Sequence, residues 1–420
     1  SIVKLRLTIW ENRRVRPFGK SPISRRWSTR FAWNAPAHPL TVATNQQIGQ
    51  GRAIIDLTHA NPTQCGFRYD GHAIAAALAN HPGARVYDPS PAGNPEARAA
   101  ISGYYKELGK TIPPERILLT ASTSEAYGLI FKLLGDPGDE ILIPRPGYPL
   151  LSHLAGFEGL VCHSYPLRHD PATGWRMDIE LLSALITNRT RAVVAVSPNN
   201  PTGNYIHPED LAAVDALCTT QGMALIVDEV FADFSARPEI APLCTTATQT
   251  TALTFVLNGI SKMLALPQMK LGWVVVDGDP GLADAAVARL ETLMDFYLTV
   301  GTPVQLALPR LLETRADIQQ QIRARIAENE NILSAQLSGV GNMRRIAREG
   351  GWYGVLFVED DVSDEDRAVN LMEADQVLIH PGRFHAFDLD GFVVLSLLPQ
   401  TDLFADGISR MIRRFGLPVA

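Results

Sequence analysis

Three side chains able to do chemistry stand directly behind apolar runs. The run "VAVS" (194–197) leads into "PNNPTG", which puts Asn200 on a sharp Pro/Gly turn. "ALIV" (224–227) leads into Asp228-Glu229, and "TFVL" (254–257) into Asn258-Gly259-Ile260-Ser261-Lys262, with Lys270 eight residues further on. Each piece alone is ordinary. "NNPTG" is turn chemistry in any protein, an aspartate behind a strand is often a helix cap, and a lysine at a strand-to-loop junction is commonly a solvated rim charge. A fourth piece, "STSE" (122–125), has the pattern of a capping box at a helix start. Taken together they offer an amine, a carboxylate and a set of exposed N–H groups. Pyridoxal phosphate needs that combination. Its aldehyde takes a lysine Schiff base, and its pyridine nitrogen needs a carboxylate to stay protonated as an electron sink. Its phosphate suits a helix N-terminus, here Ser122, Thr123 and Ser124.

The elements that must position these residues are legible as alternating texture. From about Gly71 to Pro309, short apolar runs are spaced by helical patterns. "RILLT" (116–120) precedes "STSEAYGLIFKLLG", a helix expected to stop at Gly135. "DEILIP" (139–144), "RAVVAVS" (191–197), "MALIVDEV" (223–230), "ALTFVL" (252–257) and "LGWVVV" (271–276) follow. "HPEDLAAVDALCTTQG" (207–222) opens with a proline suited to a first helical turn and closes on glycine. Strands apolar throughout and spaced by helices predict an α/β fold, a mainly parallel sheet covered on both faces. Ligands of such a sheet gather outside the carboxyl ends of its strands, where Asn200, Asp228 and Lys262 stand. From about Glu313 the texture changes. A charged helix (315–337) precedes strands near "GWYGVLFV" and "GFVVLSLL" and a last helix at 402–415, which predicts a smaller α+β domain. The expected division is an N-terminal arm with part of the small domain (1–70), a large cofactor-binding domain (71–312) and the C-terminal small domain (313–420).

The 420 residues are 46% apolar and 20% charged, with net charge −6. That balance argues against a nucleic-acid or anionic-membrane binder. No apolar run approaches the roughly 20 residues of a membrane span. Cys65, Cys162, Cys218 and Cys244 are scattered, as buried thiols of a reducing compartment would be, and a cytoplasmic protein is expected. The Arg-rich segment 1–30 holds one acidic residue, Glu11; a solvated extension or an arm over a partner subunit ranks above an organelle transit peptide, which would be Arg-rich in the same way. Ten histidines show no metal spacing, so no metal is expected; His380 and His385 flank "PGRF".

The motifs "YDPSPAGNPEAR", "LLTASTSEA", "PRPGYP", "SPNNPTG", "IVDEVF" and "GISKMLALPQMKLGW" occur in this order. Over about residues 50–415 the chain resembles the class I/II aminotransferases, fold-type I enzymes that use pyridoxal 5′-phosphate. The resemblance implies that Lys262 carries the Schiff base and Asp228 pairs with the pyridinium nitrogen. It also implies that Asn200 bonds the ring's O3′, that Tyr148 stacks on the ring, and that Ser122, Thr123, Ser124 and Lys270 hold the phosphate. Tyr87 matches the tyrosine that reaches the partner subunit's phosphate, which implies a homodimer with Thr302 near the same interface. The implied substrates are an amino acid or amine and a 2-oxo acid; a lyase, racemase or decarboxylase on the same fold, or a non-catalytic regulatory protein, are the alternatives.

The chain departs from the pattern at four places. Phe231 stands where most relatives carry tyrosine, Gly259 where serine is usual, and Lys270 where arginine is usual, which keeps the charge but loses the fork. In "VVLSLLP", Val394 replaces the arginine that clamps the substrate carboxylate. The same replacements occur together in a bacterial aminotransferase-like subgroup. Arg383, then Arg145 and Arg68, are the candidates to take over the clamp, and Trp352 is expected in the core.

Overall fold

The computed structural model describes residues 28, 30–33, 35–79, 81–237 and 245–418. Cys244 and nearly all of the Arg-rich segment lie outside the described residues. The described chain forms two compact units. The larger contains Gly66–Ala324 and Ala347–Trp352; the smaller gathers the described residues of Ser1–Cys65, Arg325–Ile346 and Tyr353–Ala420.

The larger unit is built on an eight-stranded sheet. Its strands are β1 (Ile117–Thr120), β2 (Glu140–Arg145), β3 (Val161–Asp170), β4 (Gly174–Met177), β5 (Thr190–Val196), β6 (Ala224–Asp228), β7 (Thr254–Gly259) and β8 (Gly272–Asp277). They lie in the order β1-β8-β7-β6-β5-β2-β3-β4. The pairs β2–β3, β2–β5, β5–β6 and β6–β7 are parallel. Successive residues of one strand face opposite sides, so an all-apolar strand feeds two cores. On one side pack Leu118, Phe255, Leu257, Val274 and Val276. On the other pack Ile117, Leu119, Val256, Trp273 and Val275.

The sheet is mainly parallel, as the apolar runs predict, with antiparallel members at two places. β8 runs antiparallel to both β1 and β7, and β4 folds back antiparallel on β3, neither of which the apolar runs had marked. The reason for β8 is its connection. A parallel return needs a crossover of a dozen or more residues, usually a helix. The link from Gly259 to Gly272 holds only the turn Ile260–Met263 and the short Pro267–Met269 turn, and these two glycines pair directly across its base. The lysine loop is therefore a hairpin connection. Because β8 is antiparallel to both neighbours, β1 points the same way as β7, and the carboxyl ends of β1, β2, β5, β6 and β7 share one edge.

Two helices match their sequence signals closely. α1 (Thr123–Leu134) has Ser122 as its N-cap and ends at Gly135. Its buried face, Ala126, Tyr127, Ile130 and Phe131, joins the first of the two cores. α2 (Pro208–Gln221) starts on proline and is closed by Gly222 at φ +66°, a left-handed position that glycine takes without strain.

In the smaller unit, strands β9 (Met343–Ile346), β10 (Tyr353–Val358), β11 (His380–Pro381) and β12 (Phe392–Ser396) form an antiparallel sheet ordered β9-β10-β12-β11. Ile55–Asp56 pairs parallel with Val377–Leu378. The last helix, Thr401–Phe415, buries Phe404, Ile408 and Met411. No helix among the described residues is long and apolar enough to cross a membrane.

Candidate active site

The common edge of the large sheet collects the reactive side chains. β6 ends on Asp228, which is buried. One carboxylate oxygen, Oδ2, accepts from the Tyr127 hydroxyl at 3.1 Å, and Oδ1 accepts from the Val230 N–H at 3.2 Å. Burial pushes the Asp228 carboxyl up to about 6; the Val230 and Tyr127 hydrogen bonds and the Lys262 charge oppose it. Burial, with Asp228 beside it, also holds the Tyr127 hydroxyl well above the ordinary tyrosine range, so it remains a donor.

Lys262 follows β7 in the turn Ile260–Met263. Its Nζ lies 5.6 Å from the Phe231 ring centroid and 5.3 Å from that of Trp352. Burial pulls its pKa below the ordinary lysine value, and the Asp228 charge only partly restores it. The shift is toward the neutral, nucleophilic amine.

Asn200 is buried behind β5, and its Oδ1 has no protein partner. Its turn is fixed by the neighbouring Asn199, whose Nδ2 donates to the Pro146 carbonyl at 3.0 Å and to Thr202 Oγ1 at 2.7 Å. Tyr148, half-buried after β2, packs against the core that holds Tyr127. Half of the capping box at β1's end is realised: Ser122 Oγ accepts from the Glu125 N–H at 3.1 Å, while Glu125 Oε2 accepts at 2.6 Å from the N–H of Ala121, one residue before the cap. Helix geometry leaves the N–H groups of Thr123 and Ser124 without intrahelical acceptors, so they can take an anion. Lys270 is exposed, at φ +55°.

Gly259 has a steric explanation. A Cβ there would lie 2.8 Å from the Cα of Gly272 and 3.0 Å from the Leu271 carbonyl oxygen, so the close β7–β8 approach excludes serine without a backbone shift.

These residues fit pyridoxal phosphate. A protonated ring nitrogen facing Asp228 would offset the desolvation of its carboxylate, and the orphaned amide oxygen of Asn200 marks a polar group built for a partner outside the protein.

Sequence reasoning missed two residues. Tyr127 lies four residues beyond Thr123, one turn along the same helix face, which was the available signal. Trp352 is fully buried, as expected for the core, yet its ring is among Lys262's neighbours. Tyr87 is 83% exposed and lines a cavity with Glu125, Tyr297 and Thr302. Arg145 is the last residue of β2, at the site edge, while Arg68 is exposed. Arg383 belongs to the smaller unit, in the turn Gly382–His385, and meets Asp390 through two contacts of 3.4 Å. Val394 is buried within β12, beside His380 and Val355. His380 and His385 are buried and face each other at 3.4 Å.

Residues 60–399 match the family model for aminotransferase class I and II, and the chain belongs to that family. It is a pyridoxal-phosphate-dependent aminotransferase. The chain is 26% identical over 380 residues to the glutamate-pyruvate aminotransferase AlaA of Haemophilus influenzae, covering 87% of this chain and 91% of that one. It is 28% identical over 388 residues to nicotianamine aminotransferase 1 of Oryza sativa subsp. japonica, covering 86% and 74%. Among solved structures, an alanine aminotransferase from Pyrococcus furiosus superposes with a TM-score of 0.82 at 24% identity, over 93% of this chain and 99% of that one.

Proposed function

We propose that Lys262, Asp228, Asn200 and Tyr148 hold the cofactor's ring and the Ser122–Ser124 turn with Lys270 its phosphate, for amino transfer between an α-amino acid and a 2-oxo acid. One observation carries the reading: the Lys262 amine, its pKa lowered by desolvation, stands within electrostatic reach of the buried Asp228 carboxylate. Bound there, the cofactor supplies an electron sink for the charge left on the donor's Cα. Asp228, oriented by the Tyr127 hydroxyl, would keep the ring nitrogen protonated. Lys262 would hold the cofactor through Nζ and, as a free amine, would accept the proton from the donor's Cα. The aromatic faces of Phe231 and Trp352 exclude water from that amine.

Relatives named for glutamate, pyruvate and alanine support a donor that carries a carboxylate. For that carboxylate Arg145 ranks ahead of Arg383. Arg145 ends β2, at the sheet edge that carries Asn200 and Asp228, whereas Arg383 belongs to the smaller unit. The exposed aromatics Tyr87, Phe296 and Tyr297 support a homodimer in which Tyr87 reaches the partner's phosphate, because large exposed rings call for a covering surface. The three cysteines among the described residues are free, in keeping with a cytoplasmic protein.

The test is chemical. Borohydride reduction of the holoenzyme, digestion and mass spectrometry should find the cofactor fixed on Lys262. Attachment at Lys270, or at no lysine, would overturn the assignment.

A further inference from the structure

We propose that the indole N–H of Trp352 is a specificity-determining donor to an anionic ligand oxygen beside Lys262, doing there what a phenol at position 231 would do. The proposal rests on the site reading above. Trp352 is fully buried, and its Nε1 has no protein acceptor. A buried donor left without a partner is costly, so a native structure that keeps one invites a ligand acceptor. The ring is not loosely placed. It stands edge-on to Phe231 at 5.4 Å and to Phe234 at 5.0 Å, with Lys262 Nζ 5.3 Å from its centroid.

The backbone before it is stapled to two of the site's own turns. The Gly350 N–H donates to the Gly203 carbonyl at 2.8 Å, on the turn that carries Asn200. The Gly351 N–H donates to the Phe234 carbonyl at 2.9 Å, just beyond Asp228 and Phe231. Glu349 adds side-chain contacts, accepting from the Tyr205 N–H at 2.9 Å and meeting His207 at 2.8 Å. Both glycines are required: a Cβ on Gly350 would lie 2.8 Å from Pro198 Cγ, and Gly351 has φ +82°. Trp352 is thus delivered rigidly to the place where the Asn200, Phe231 and Lys262 turns meet.

Phe231 can offer no hydrogen bond. The oxygen that the indole meets is either the cofactor's phenolic oxygen or the donor's carboxylate. Both are anionic acceptors, and a neutral N–H serves either without adding charge to a desolvated site.

The experiment compares holoenzyme of the wild type, Trp352→Phe and Trp352→His, after borohydride mapping has verified attachment at Lys262. Failure of that mapping overturns the site reading; the following arms bear on Trp352 alone. If the acceptor is the cofactor's oxygen, Trp352→Phe raises the pH midpoint of the visible absorbance change by about one unit, because a phenolate without its donor holds the shared proton more tightly. If the acceptor is the donor's carboxylate, the midpoint stays and the Kd of propionate rises about tenfold, while that of propylamine does not. In the affected arm Trp352→His, which keeps a ring N–H, recovers a large part of the wild-type value. A Phe variant that retains the cofactor and moves neither quantity overturns the proposal, as does a His variant no better than Phe.

Discussion

Asp228 in the larger unit and Asp364 in the smaller are both buried, and burial pushes both carboxyls up to about 6. Their surroundings differ in kind. Asp228 is met by a tyrosine hydroxyl and by a lysine whose own charge burial disfavours. Asp364 accepts from the Gly391 N–H, and the charges that act on it, Asp390, Arg367 and Arg383, sit in a network of their own: Arg367 is bidentate to Asp360, and Arg383 meets Asp390. A perturbed carboxylate is therefore not by itself a site. What separates the two is the chemistry of the neighbouring cations. Beside Asp228 the cation is the Lys262 amine, a candidate nucleophile; beside Asp364 both arginines hold other carboxylates, Arg367 on Asp360 and Arg383 on Asp390.

The contrast ranks a series of substitutions. Lys262→Ala should lower kcat by several orders of magnitude, since the covalent attachment and the proton acceptor go together; single-turnover kinetics would show it, and turnover near the wild-type rate would break the comparison at its root. Asp228→Asn should keep the cofactor yet lose about 100- to 1000-fold in kcat, the scale of one preorganised electrostatic partner. Retained kcat with poor cofactor retention would instead make Asp228 a structural cap. Arg145→Ala should cost roughly thirty-fold or more in kcat/KM for carboxylate-bearing donors and little for simple amines, the penalty of leaving a desolvated carboxylate unpaired.

On the other side of the comparison, Asp364→Asn should leave kcat within about twofold and act on stability instead. Its sign follows from linkage. The folded carboxyl holds its proton above the unfolded value near 4, so between about pH 4 and 6 the folded state binds more protons. Stability from this group is present below that window and falls as pH rises through it. Urea midpoints across pH 4–7 should show a shallower fall in the variant; an unchanged slope would contradict the shifted carboxyl. The smallest effect belongs to Arg383→Ala. Its pair with Asp390 is about half-exposed on both sides, and such pairs carry roughly 0–1 kcal/mol. A change in kcat/KM below about fivefold, equal for carboxylate and amine donors, is expected; a large loss confined to carboxylate donors would move Arg383 into the site.

Much of this was legible in the sequence because it is local. An all-apolar strand of five or six residues ending in Asp228 or Asn258 announces a buried strand and a polar carboxyl end. A serine three residues before a glutamate announces a capped helix, and Pro208 with Gly222 brackets another. The order of motifs then fixed the family. These signals persist in one dimension because the period of a strand, the reach of a cap and the φ of a glycine involve only a few neighbouring residues.

The chain alone thus determined which residues could do the chemistry, and on what kind of element each would stand. Only the tertiary structure decided their company. Tyr127 meets Asp228 across 101 positions, and Trp352 reaches Lys262 from a six-residue segment that packs with the larger unit although the strand following it belongs to the smaller. β8 runs antiparallel, which brings Gly272 against Gly259 and leaves no room for a side chain there. None of these has a local signature, because each is set by how close two distant backbones are driven when both faces of the sheet are buried.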